Sequence, residues 1–315
     1  MLPPPTLRHA DLSTTEEALK SARLAAHNVS CIPYIHHPFT YGHLCDMWMS
    51  VEQMLTIGCG STEEHAVLLC NWLLGMGFNA FLVLGQALPS GVNSVYVYVE
   101  IQGHGPVLFD PADGSNFGTT DSNCTMNNVH VIVTSNNVFG NLQSEKQTVV
   151  TDFNFKRRSL WEPLLSPTKP LLPTIQKDSI VYTEVNEDVV MELKGSLERE
   201  IRLKFDQSRS YGIPQWNVLA SRALREVLIS MSNNFEEQFD ITDKFKSLGL
   251  HYNICAVGLQ KGYQNRQQLI DDVLNTQIHI NANSSAQFAF AVHVTPYFNK
   301  IVAVSVAIAS LNSSY

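Results

Sequence analysis

The segment Gly58–Gly85, GCGSTEEHAVLLCNWLLGMGFNAFLVLG, sets a thiol (Cys59), a hydroxyl (Thr62) and an imidazole (His65) at the opening of one apolar run. A carboxylate, Asp110, follows on a later strand, with Pro111 behind it. These are the parts of nucleophilic catalysis: a nucleophile, a base to take its proton, and an acid to orient the base. A helix N-terminus lowers a thiol pKa enough to give thiolate, whereas a threonine hydroxyl gains little there and needs a base within reach. The parts do not close into a site by spacing alone. Cys59 lies three residues before Thr62, in the glycine turn, and reads as a packed or partly exposed free thiol. His65 is one turn past Thr62 and could approach its hydroxyl; a first-turn histidine is more often satisfied locally. His104 sits in a turn six residues before Asp110, and a strand of that length spans about 20 Å, too far for an orienting hydrogen bond.

The elements that must hold these residues follow from local signals. Ser61 and Glu64 form a capping box, and the helix they open runs to about Leu74, where Gly75-Met76-Gly77 stops it. Period-2 segments come next: Phe81–Leu84, Ser94–Val99, Val107–Asp110 and Val129–Val133, the second and third joined by the turn Gln102–Gly105. Thr14–Ala26 and Ser50–Thr56 read as helical. The proline-rich PLLSPTKPLLP at 163–173 is the best boundary, giving a core over 1–162 and an α/β region over 163–315 packed on it. In the latter, Glu187–Phe205, Pro214–Ser232 and Asn265–Leu274 read as helices and Asn253–Gly258 as a strand. A hairpin joins Phe288–Val294 to Ile301–Ala309.

With 315 residues and 44% hydrophobic content the chain can bury a sizeable core. Ala66–Gly85 has the length of a membrane span, but Asn71, Gly75, Gly77 and Asn79 interrupt it, so a buried helix and strand are expected and no membrane insertion. No signal peptide opens the chain, and six cysteines without a C-x-x-C pair read as free thiols of a reducing compartment. The net charge of −8 is unevenly spread: from 24 to 145 there are nine acids and not one lysine or arginine. That distribution excludes nucleic acid as a partner of the first half. His36, His37 and His43, near Cys31 and Cys45, lack a repeating ligand spacing, so no metal is expected, and no cofactor motif occurs. Trp48, Trp72, Trp161 and Trp216 read as core anchors, and Lys156-Arg157-Arg158 as a solvated run.

The order helix, strand, strand, strand resembles the transglutaminase-like (papain-like) core, whose pattern is G-x-C-x-x-x-A on the helix, H-x-W on a strand and D-P on the next. Gly60 and Ala66 frame the helix position, Tyr96 stands for the tryptophan, and Asp110-Pro111 is intact. The resemblance implies an α+β fold, a capped helix packed on an antiparallel sheet, with Thr62 in place of the cysteine and Ser94 in place of the histidine. No catalytic residue is then expected. The vestigial positions Thr62, Ser94 and Asp110 should converge, lining a peptide-binding cleft with Glu63, His65 and Tyr96.

CDMWMSVEQML, EEHAVLLCNWLLGMGFNAFLVLGQALPSG and LFDPADG extend the likeness. With RSLWEPLLS, IPQWNVLASRALREVL and FAFAVHVTPYFNKIVAVSVAIASL, they resemble the C-terminal transglutaminase-like region of the coiled-coil and C2 domain-containing 2A proteins. A related centrosomal family shares EEHAVLLCN. The resemblance implies an inactive domain serving as a scaffold in the cytoplasm at the ciliary base, the transition zone. It also implies protein or extended-peptide partners, among them other transition-zone components or tubulin. The nine acids favour a neutral or basic peptide in the cleft. The alternative is an active cysteine peptidase or transglutaminase with a rearranged site using Cys59.

Overall fold

The computed structural model describes residues 1–8, 12–35, 49–166, 173–233, 245 and 252–313. It is an α+β molecule whose chain divides into two units, Met1–Tyr182 and Thr183–Tyr315. Residues beyond the proline-rich segment remain tied to the first unit. Leu2 N–H donates to the Asp178 carbonyl, Trp72 Nε1 donates to the Tyr182 hydroxyl, and Lys177 pairs with Glu52.

In the first unit, helices α1 (Pro5–Arg8), α2 (Thr15–Ser30), α3 (Val51–Ile57) and α4 (Thr62–Gly75) precede a seven-stranded antiparallel sheet. Its strands are β1 (Asn79–Ala87), β2 (Gly91–Ile101), β3 (Gly105–Phe109), β4 (Asn116–Gly118), β5 (Met126–Val133), β6 (Val138–Asn141) and β7 (Trp161–Pro163). Their spatial order is β4-β3-β2-β1-β5-β6-β7. Helix α4 buries residues around most of its circumference, from His65 and Ala66 to Trp72 and Leu73, as a helix wrapped by core must. Its end is a Schellman turn: Gly77 takes φ +97°, its N–H donates to Leu74, and the Phe78 N–H reaches back to Leu73.

The two faces of this sheet have different covers. Phe81, Val83, Tyr96, Tyr98, Leu108 and Trp161 form one core with Phe153 and Phe155 against it. No helical side chain joins that cluster among the described residues, so α2 and α4, which touch β2, lie on the opposite face. β1 kinks where its register shifts against β5, and Gly85 is obligatory there: a Cβ would stand 1.9 Å from the Asn128 carbonyl oxygen.

The second unit contains α5 (Glu187–Ser208), β8 (Gln215–Trp216), α6 (Val218–Asn233), β9 (Tyr252–Gly262), α7 (Arg266–Asn275), β10 (Gln287–Pro296) and β11 (Val302–Ser313). The sheet order is β8-β10-β11-β9, with only β8 parallel to its neighbour, so the unit is a mixed sheet between helices. Alternation in β10 and β11 sorts large from small. Phe288, Phe290, Val292, Val304, Val306 and Ile308 face α5 and α7. Ala289, Ala291, Ala307 and Ala309 face α6.

Candidate functional site

Thr62 is the first residue of α4, with Ser61 at the N-cap, as the capping signal requires. Glu64, almost fully buried, reaches back with both oxygens. One accepts from the Ser61 N–H and the other from the Met49 N–H, each at 2.7 Å. The carboxylate therefore fastens the incoming chain to the first turn of the helix, where the macrodipole also favours negative charge.

The helix N-terminus is not open. Tyr34 comes in on a strap where Gly60 N–H donates to Pro33 and Ile35 N–H donates to Gly60. Its phenol lies beside the Thr62 backbone amide. Burial, together with Glu63 and Asp110 nearby, pushes the Tyr34 phenol up to about 12. A neutral phenol thus stands beside the amide that heads the helix.

His65 lies against Tyr34, ring centroids 5.3 Å apart, and is buried. Its Nδ1 is 2.6 Å from the Ser61 carbonyl oxygen and its Nε2 is 3.1 Å from that of Ile32. Neither nitrogen is directed at Thr62. Burial lowers its pKa, although the two carbonyls and Glu64 oppose the shift.

Asp110 stands just past β3. The register pairs Val97 with Phe109, so the next position of β2, Tyr96, is the residue opposite Asp110. The Tyr96 hydroxyl donates to Asp110 Oδ2 at 2.7 Å and lies 2.6 Å from Thr125 Oγ1. The other carboxylate oxygen accepts from the Ala112 N–H at 2.9 Å. Burial raises both groups, the Asp110 carboxyl and the Tyr96 phenol.

Of the trio Thr62, Ser94 and Asp110, the carboxylate takes its hydrogen bond from Tyr96. Ser94 pairs with Gly85 of β1 and is buried, and its hydroxyl donates to the Gly91 carbonyl at 3.0 Å. Two residues from Tyr96, it shares that residue's face of β2. Register decides which residue stands directly across the ladder from the carboxylate, and that is Tyr96. Thr62, Glu63, His65 and Asp110 do gather around Tyr34, by ring contact, hydrogen bond or charge.

The remaining candidates find local roles. Cys59 is half-buried, and burial with Glu64 beside it raises its thiol pKa, the reverse of activation. Arg157 pairs with Asp152 at 2.7 Å, taking one member of the basic run. Trp72 and Trp161 are fully buried, whereas Trp216 is only partly so. His36, His37, His43, Cys45 and Trp48 lie outside the described residues. Among the described residues no helix is long and apolar enough to cross a membrane. Tyr34 and Thr125 were not expected at the site. Tyr34 had only its place in an aromatic, proline-rich loop to mark it, and Thr125 had no signal.

Residues 46–164, which span α3 to β7, match the CEP76 peptidase-like domain family. Human Protein CC2D2B is 29% identical over 294 residues, 91% of this chain and 20% of its own length. The Drosophila melanogaster Coiled-coil and C2 domain-containing protein 2A is 24% identical over 266 residues, 82% of this chain and 20% of its own. The chain is thus similar over most of its length to these proteins and spans about one fifth of the curated relatives it matches.

Proposed function

We propose that the first unit is a catalytically inactive, transglutaminase-like module that binds protein or extended peptide. In this reading the chain serves a scaffold at the ciliary base, as its resemblance to the coiled-coil and C2 domain-containing 2A proteins implies. One observation carries it: the carboxylate Asp110 accepts from the Tyr96 hydroxyl, where a thiol enzyme would have an imidazole to orient. Where a thiol enzyme needs a thiolate, a free amide and an imidazole, this site has a threonine and two phenols. Ser94 adds no base, and His65 spends its nitrogens on backbone carbonyls.

A peptide seated near Thr62, Glu63 and Asp110 meets acids, and no lysine or arginine occurs from 24 to 145. Of the nine acids in that stretch, Glu52 pairs with Lys177, and Glu64, Asp110, Asp113 and Asp121 accept from backbone amides while keeping their charge. They still set the sign of the field, so a neutral or basic peptide is the favoured occupant.

The test is turnover. Incubation of the full chain with a glutamine donor and a fluorescent amine, and with a quenched peptide library, should give buffer-level rates. Turnover that Cys59→Ser abolishes would establish the rearranged cysteine enzyme instead and overturn this reading. The raised thiol pKa of Cys59 opposes that outcome.

A further inference from the structure

The second unit holds a groove of about 710 Å³ where α5 and α6 face one another at the β8 edge of the sheet. Its walls carry four arginines in two pairs of the same spacing, Arg199 and Arg202 on α5, Arg222 and Arg225 on α6. Residues three apart share a helix face, so both arginines of each helix line the same wall. The floor is aromatic: Trp216 and Phe290 line it, and Arg202 stacks over the Trp216 ring at 4.7 Å.

The arginines are not fully used by the fold. Arg225 meets Glu198 at 3.1 Å, yet its buried Nε has no hydrogen-bond partner. Arg222 reaches Glu226 only at 4.0 Å, with both side chains largely exposed. Arg199 and Arg202 are exposed. Planar guanidinium forks in this arrangement suit carboxylates, which they bind in pairs of hydrogen bonds.

Gly195 is the most telling member. It lies in the middle of α5 and lines the groove, and a Cβ built there meets nothing within 4 Å. Packing does not demand glycine, and helix propensity opposes it. What glycine does is leave the groove empty.

The geometry points to a binding site for an extended acidic peptide with apolar side chains among its carboxylates. The aromatic floor and Val218, which is 79% exposed, would take the apolar side chains. The lining also includes two carboxylates, Glu198 and Glu226. These disfavour a dense polyanion such as a nucleic-acid backbone or a polyphosphate, whereas a peptide carboxylate can displace one of them from its arginine.

The experiment is fluorescence anisotropy with a labelled peptide of alternating glutamate and leucine containing one phenylalanine, titrated with the full chain. Saturable binding is expected, weakened at least about tenfold by Arg199→Gln/Arg202→Gln. Gly195→Leu should weaken it comparably by filling the groove. Arg157→Gln/Arg158→Gln, in the first unit, should leave it unchanged, and a lysine-leucine counterpart should not bind. Circular dichroism melts of each variant separate lost binding from lost folding. Absence of saturable binding, or binding indifferent to both groove variants, would overturn the proposal. So would tighter binding of single-stranded RNA or inositol hexakisphosphate that the same variants abolish, since the site would then be one for polyanions.

Discussion

Tyr34 packs at the head of α4, its ring against His65 and its phenol beside the Thr62 amide. Its replacement by phenylalanine should remove that polar contact and cost at most about 1 kcal/mol in a denaturant melt. No peptidase activity should appear, since Thr62 still lacks a base. Glu64→Gln should cost more, about 1–3 kcal/mol, because an amide side chain cannot accept from both the Ser61 and the Met49 N–H as two carboxylate oxygens do. The buried histidines supply a pH dependence. His27 and His65 have pKa values below the ordinary 6.5, held there by burial. The unfolded chain therefore takes up protons first, so stability from these residues is complete above pH 6.5 and is lost as pH falls below it. Asp110 acts with the opposite sign in a lower window, its raised carboxyl losing stability as pH climbs from 3.8. Melts of the full chain from pH 8 to pH 5.5 should show a falling midpoint, and His65→Gln should flatten that slope.

At the scale of elements, local rules and long-range pairing divided the work of specification. The helix from Thr62 was legible because its cap and its stop are local: Ser61 and Glu64 at one end, Gly77 at the other. The longer strands were legible by alternation, Ser94–Val99 being the central part of β2, whereas the short β4, β6, β7 and β8 were not, and β8 lay within an expected helix. What alternation does not carry is which residue stands across the ladder. The pairing of Tyr96 with Asp110 depends on where β3 begins after its turn, and no residue of β2 records it. The Tyr34 contact is harder still, since it joins a loop to a helix end. Two glycines test the elements directly. Gly85→Ala should destabilise by several kcal/mol or prevent folding, because the new methyl would meet the Asn128 carbonyl oxygen inside the sheet. Gly195→Ala, in open space on α5, should stabilise by about 0.5–1 kcal/mol, read as a raised melting temperature.

Across the whole molecule, charge and shape are shared unequally. The first unit carries nine lysines and arginines against fifteen acids, the second twelve against fourteen. The difference in net charge is modest, but its arrangement is not, because four of the second unit's arginines line one groove. Binding of the acidic peptide should therefore weaken steeply between 50 and 300 mM salt, as exposed charges lose reach when the screening length falls below about 10 Å. A slope near zero would assign the affinity to the aromatic floor alone.

The alanines of β10 and β11 have a bearing on that groove which their size conceals. Helix α6 rests on Ala289, Ala291, Ala307 and Ala309, while α5 on the other side of the sheet rests on phenylalanines and valines. These alanines act as shims of minimum thickness beneath one jaw of a clamp. Ala291→Leu would lift α6 by the depth of the added carbons, at a cost of about 1–3 kcal/mol from overpacking. It should also spread Arg222 and Arg225 away from Arg199 and Arg202 without touching any of them. The jaw spacing, and with it the girth of chain the groove admits, is gauged from inside the sheet.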